Sequence, residues 1–157
     1  LGVSTCGFIV GYEKKDVMTT IDKYFTLEEA ASLLPWVRET LAQANTELLS
    51  LYDEMVLAKR LYALKYADRL PGQDEQQQAL ELKIQRFEQT IERWVAFFKE
   101  KGLIVRNLQK GIIDFPYRTK DKDLLFLAWR KGDDGILYFY EANESSRGRR
   151  PITLLPD

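Results

Sequence analysis

Between Thr26 and about Ala67, apolar side chains recur at Leu27, Ala30, Leu34, Val37, Leu41, Ala44, Leu48, Leu51, Met55, Ala58 and Tyr62, in unbroken alternating steps of three and four. That spacing is a heptad seam and specifies a long amphipathic helix. About 40 residues at 1.5 Å each make roughly 60 Å, about twice the width of a small domain. Such a helix cannot bury its whole seam in a sheet built by its own chain. Part of the seam must therefore meet another helix, either the next one in the chain or one from a second copy.

The start of this helix is written locally. Thr26 and Glu29 stand at capping-box spacing, each able to satisfy the other's backbone amide, and Phe25 with Ala30 forms a hydrophobic staple. Pro35 removes one backbone donor and crowds the preceding turn. A kink or short break near Ser32 to Pro35 is expected, with the first segment folding back over the core. Downstream, Asp68-Arg69-Leu70-Pro71-Gly72-Gln73 is a turn signal, and Asp74 with Gln77 can cap a second helix. Its seam reads Leu80, Ile84, Phe87, Ile91, Trp94 and Phe98. A short connection makes the two helices antiparallel neighbours, and Gly102 can close the second in a left-handed conformation. If Trp94 is core, Trp94→Ala should cost about 3 to 5 kcal/mol.

From Leu103 the period changes to that of strands. Leu103 to Leu108, Ile112 to Phe115, Leu124 to Trp129 and Ile136 to Tyr140 are short apolar or alternating runs, separated by Lys110-Gly111, Asp121-Lys122 and Gly132-Asp133-Asp134-Gly135. Helices first and strands afterwards define an α+β class: a long antiparallel helical hairpin over 26–101, then a small antiparallel sheet over 103–155. One domain over 24–157 fits the length of 157 residues, with 1–23 as a flexible extension. Leu1 to Val17 lacks the features of a secretory signal, and two readings of it stay open: Met18 as the biological start, or an ordinary flexible terminus.

Composition excludes more than it specifies. A net charge of -1 removes bulk attraction to nucleic acid or anionic lipid, and no apolar run is long enough to span a bilayer. The single Cys6 fits a reducing compartment, so a cytoplasmic location is expected. Histidine is absent, which removes Ser-His-Asp and Cys-His catalysis and the commonest zinc ligand. Neither a cofactor nor a metal is implied.

Several separated motifs occur in a familiar order. They are Tyr24-Phe25-Thr26-Leu27-Glu28-Glu29-Ala30, Leu33-Leu34-Pro35, Lys101 to Leu108, Gly111 to Pro116, Leu127-Ala128-Trp129-Arg130 with Gly132-Asp133, and Gly148-Arg149-Arg150-Pro151-Ile152. Together they resemble the bacterial domain-of-unknown-function family 2203 over about residues 24 to 152. The resemblance implies a fold and a kinship but no activity. Family members often carry Trp-His, Gly-Phe and a cysteine where this chain has Phe139-Tyr140, Ser145-Ser146 and Ala128. Imidazole or thiol chemistry at such a site would be lost here, and a binding role tolerates those changes better than catalysis does.

The candidate site residues are few. Asp114 is a carboxylate in an apolar strand, where burial would raise its pKa; Arg130, Arg149 or Arg106 are its candidate partners. The plainer alternative is an Asp that caps a turn or pairs with an arginine. Trp129 and Tyr140 complete a ligand-binding candidate set with Asp114, Arg130 and Arg149. Asp133-Asp134 could hold a hard cation, although a turn explains the pair more simply. Arg147, Arg149 and Arg150 form a basic cluster that, with Phe126, Tyr138 and Tyr140, could bind RNA by stacking and phosphate contacts. The simpler place for those aromatics is the core beneath the hairpin.

The leading expectation is a non-enzymatic interaction or oligomerisation module that uses the hairpin to form a homodimer or to bind a protein partner. The alternative is a small-ligand or metal-assisted enzyme site on the sheet, with Asp114, Arg130 and Arg149 converging in one cleft. RNA binding through the arginine cluster is the weakest of the three.

Overall fold

The capping box forms as the residues dictate. Thr26 N–H donates to Glu29 Oε1 at 3.0 Å and Glu29 N–H to Thr26 Oγ1 at 3.1 Å. From this cap the first helix, α1, runs over Leu27–Lys65. Thr26→Ala should cost about 0.5 to 2 kcal/mol in a denaturant titration. A cost near zero would mean that the box adds nothing to the packing of Phe25 and Ala30, both of which are buried in the main core. The computed structural model describes residues 21–65, 75–144 and 148–157. The expected N-terminal extension up to residue 20, with Cys6 and Met18, and the expected turn and Asp74 cap within 66–74 lie outside the described residues.

The helical assignment is continuous through Pro35, so of the expected kink or short break the break does not occur. The physical reason is placement. Pro35 and Ala31 are both exposed, so the carbonyl that loses its donor can turn to water. The second helix, α2, covers Glu75–Glu100 and packs along α1. Ring contacts set the pairing: Tyr52 lies 5.8 Å from Phe87, and Trp36 lies 5.5 Å from Phe98. The seam of α1 is buried from Ala30 through Leu48 and again at Met55, so much of it closes within one chain. Gly102, with φ +86°, ends α2 in a Schellman arrangement: its N–H donates to Lys99 O and the Leu103 N–H to Phe98 O.

Trp94 differs from its expected place. It is half-buried rather than core, and its Nε1–H donates to Glu47 Oε1 at 2.7 Å beside Arg93. Thr90 and Val95 are buried instead. Trp94→Ala should therefore cost less than the 3 to 5 kcal/mol of a buried aromatic, roughly 1 to 2 kcal/mol by thermal or urea unfolding.

Among the described residues five strands follow: β1 Ile104–Asn107, β2 Ile112–Arg118, β3 Leu124–Arg130, β4 Tyr138–Glu141 and the two-residue β5 Arg150–Pro151, then a 3₁₀ turn at Ile152–Leu154. All pair antiparallel in the order β1-β2-β3-β4-β5. β2 runs through Pro116, which has no N–H to donate. Its partner on one side is Phe126, and β1 pairs β2 no further than Asp114, so the proline faces an open edge. There the Phe25 N–H donates to Pro116 O at 2.7 Å.

Strand alternation divides the sheet into two faces. Val105, Ile113, Phe115, Leu125, Leu127, Trp129 and Phe139 join the hairpin in the main core. Phe126, Ala128 and Tyr140 form a separate buried cluster, against which Ile21, Ile104, Leu124, Tyr138 and Ala142 pack. Thus Phe126, Tyr138 and Tyr140 lie on the face away from the hairpin, not beneath it. Their odd-even offset from Leu127 and Phe139 leaves no other arrangement.

Candidate functional site

On that outer face, the β1–β2 hairpin brings Arg106 and Asp114 together, because Ile104 pairs directly with Asp114. Arg106 Nε–H donates to Asp114 Oδ2 at 2.7 Å. The hydroxyl of Tyr140 donates to the same oxygen from β4. Tyr140 must reach across β3, and Ala128, which pairs with Asp114, has no side chain beyond Cβ to obstruct it. The ring of Phe126, 5.4 Å from Tyr140, and the Arg106 guanidinium, 5.0 Å above Phe126, complete the group.

Asp114 is 0% exposed, and its Oδ1 has no hydrogen-bond partner. Burial pushes its carboxyl above the ordinary carboxylate range, against the opposing pull of the Arg106 charge. Burial and the neighbouring Asp114 likewise push the Tyr140 phenol up, so it stays a hydroxyl donor. Burial works against the Arg106 charge, but Asp114 outweighs it and the guanidinium remains protonated.

The raised carboxyl pKa has a definite sign in stability. The folded protein holds the Asp114 proton more tightly than the unfolded chain, where the group titrates near 3.8. Its contribution is therefore greatest below that value and is lost as pH rises through the folded pKa. Compared with Asp114→Asn in urea titrations, the wild type should lose relative stability as the pH is raised from about 4. A difference that stays flat, or grows, with pH would contradict a raised value.

The other sequence candidates meet elsewhere. Asp133, in the β3–β4 turn, gathers them: its Oδ2 accepts from the Arg130 N–H at 3.0 Å and from Arg149 Nη1 at 3.2 Å. Its carbonyl accepts from Trp129 Nε1 at 3.3 Å and from Arg38 Nη2 at 3.2 Å. Asp133 thereby ties α1, β3 and the closing segment together. Trp129 is in the main core, and the Arg149 guanidinium stacks 4.1 Å from the Tyr138 ring. Asp114, Arg130 and Arg149 share no hydrogen bond or ion pair with one another; they are divided between the Arg106 and Asp133 groupings. The Arg130 Nε is buried without a partner. Among the described residues, no group of three or more metal-ligating side chains is placed to hold a metal ion.

Within the basic cluster, Arg149 pairs with Asp133, and Arg150 with Glu144 and Glu141. Arg147 lies outside the described residues. The positive charge of the two described arginines is thus met by carboxylates of the same surface.

A second feature lies on α1. Leu57, Leu61 and Leu64 are 56%, 57% and 75% exposed. They recur in steps of four and three, so they share one face. Leu57 follows the buried Met55 by two residues, about 200° around the helix, so this face is opposite the seam. The stripe was readable in the sequence, but the stronger seam beside it claimed the same stretch.

These features define an α+β protein with a long helical hairpin on one face of a five-stranded meander and a closed Asp-Arg-Tyr group on the other. The chain belongs to the family of uncharacterized conserved proteins DUF2203, whose model matches residues 23–152. No curated protein and no solved structure matches the chain. No described helix is long and apolar enough to cross a membrane.

Proposed function

We propose that this protein is an interaction module whose docking element is the outward face of α1 in the distal half of the hairpin. The observation that carries the reading is the in-phase exposure of Leu57, Leu61 and Leu64. Scattered exposed leucines are ordinary, but three on one face of one helix are the anchor pattern of helix-mediated recognition. The hairpin supports such a role mechanically. Its proximal half is locked by the capping box, the main core and the Arg38 contacts to the Asp133-Asp134 turn, while α1, at 39 residues, is about 58 Å long. Strands of four to seven residues reach only about 13 to 23 Å, so the distal half extends past what the sheet can cover.

The Asp114 group favours a structural role over catalysis in this reading. Asp114 itself is wholly buried, and Arg106 and Tyr140 are both engaged with it.

A photo-crosslinking residue placed at Leu61, with Glu92 on α2 as the control position, tests the reading in the native cell. A discrete cross-linked product from position 61 and not from 92 is expected. No product, or the same products from both positions, would overturn the docking face.

A further inference from the structure

The docking face carries charge as well as leucine. At 3.6 residues per turn, Leu49, Asp53, Leu57, Arg60 and Leu64 follow one another along the side of α1 opposite the seam. All five are exposed. Among the described residues, no ion pair or hydrogen bond occupies Asp53 or Arg60. The order apolar, acidic, apolar, basic, apolar has a symmetry of its own. Reversed about a point between Val56 and Leu57, it places Asp53 opposite Arg60 and Leu49 opposite Leu64, with the two copies of Leu57 side by side at the centre.

We infer that the occupant of this face is a second copy of the chain, its α1 laid antiparallel across a two-fold axis between Val56 and Leu57. The inference rests on the docking reading above and names its partner. A two-fold contact must be self-complementary, with each residue meeting its counterpart twice. The antiparallel register meets that condition with two Asp53–Arg60 pairs, one from each direction, flanking a leucine centre. A parallel register would set Asp53 beside Asp53 and Arg60 beside Arg60, which like-charge repulsion disfavours. The mixed charge also sets the face apart from a membrane-binding helix, whose polar flanks are predominantly basic.

Among the described residues the arrangement is sterically open. The contact face points away from α2, and the antiparallel direction sends the two sheets to opposite ends. Overlap from Leu49 to Lys65 covers 17 residues, about 25 Å of helix. A contact of that length is small for a permanent interface, so the dimer dissociates on dilution.

The test uses the full chain with Cys6→Ser, which removes the single native thiol. Light scattering after size exclusion, from about micromolar to millimolar, should show mass rising from one chain to two. Asp53→Arg and Arg60→Asp should each raise the dissociation constant about tenfold, and the double variant D53R/R60D should restore it. Leu49→Cys mixed with Leu64→Cys should give a disulfide-linked dimer that neither variant gives alone. Circular dichroism checks that these surface variants fold. A chain that stays monomeric to millimolar concentration, or a double variant no better than the single ones, overturns the self-pairing. So does cross-linking of each cysteine variant with itself alone. Monomeric protein together with a cross-linked partner from position 61 in cells would leave the docking face standing and remove only the second copy. Absence of both would remove the docking face as well.

Discussion

Asp114→Ala should lower the stability by about 3 to 5 kcal/mol, because it leaves the partly buried Arg106 charge and the Tyr140 hydroxyl without their shared acceptor. For a chain of this size, each kcal/mol corresponds to a shift of roughly 2 to 4 °C in Tm. Two companion variants separate the causes. Tyr140→Phe removes one neutral donor and should cost about 1 kcal/mol. Replacing both charges, Asp114→Leu with Arg106→Met, should recover most of the loss, since an apolar pair carries no desolvation cost. A cost below about 1 kcal/mol for Asp114→Ala would mean that the outer-face group is not a structural clamp, and the case for a ligand-related role of Asp114 would strengthen.

Trp129→Ala should have a comparable effect, about 3 to 5 kcal/mol in urea unfolding with little change in slope. Trp129 is 1% exposed and fills the main core, with the Arg38 guanidinium 5.9 Å from its ring. Its indole N–H also holds the Asp133 carbonyl, the centre of the turn that gathers Arg38, Arg130 and Arg149. The cavity left behind would therefore loosen the β3–β4 turn against α1 as well as the core. Trp36 and Trp94, both partly exposed, remain as fluorescence probes. A loss under about 1.5 kcal/mol would show that the core can collapse around the missing ring.

Gly111 shows how closely the two layers approach. With φ +68°, it sits where a Cβ would come within 2.8 Å of Leu41 Cδ2 and 2.7 Å of Lys131 Cβ. The glycine in Lys110-Gly111 reads in the sequence as a turn. Its contact with α1 does not, because Leu41 is 70 residues earlier in the chain.

What the sequence determined by itself was local or periodic. The α1 seam, the Thr26–Glu29 box, the Gly102 closure, the four longer strands and the α+β order all follow from spacings within a few residues, where side chains meet through one helix turn or one strand pleat. Tertiary structure decided the rest. Arg106 rather than Arg130 or Arg149 holds Asp114 because antiparallel register sets which residues stand across a hairpin, and a bulge between Val105 and Asn107 adjusts it. The face assigned to Phe126 and Tyr140 depended on which set of alternate residues the hairpin covered. Pro35 was read as a kink or short break because its exposure on α1 could not be known until the core side of that helix was. β5 has two residues and no period, so it exists only through its pairing with β4. The leucine face of α1 is apolar in sequence but becomes a candidate docking surface only because the other described residues leave it open. A periodicity states which residues lie together; which of those faces is covered depends on elements far away in the chain, and that only the assembled fold decides.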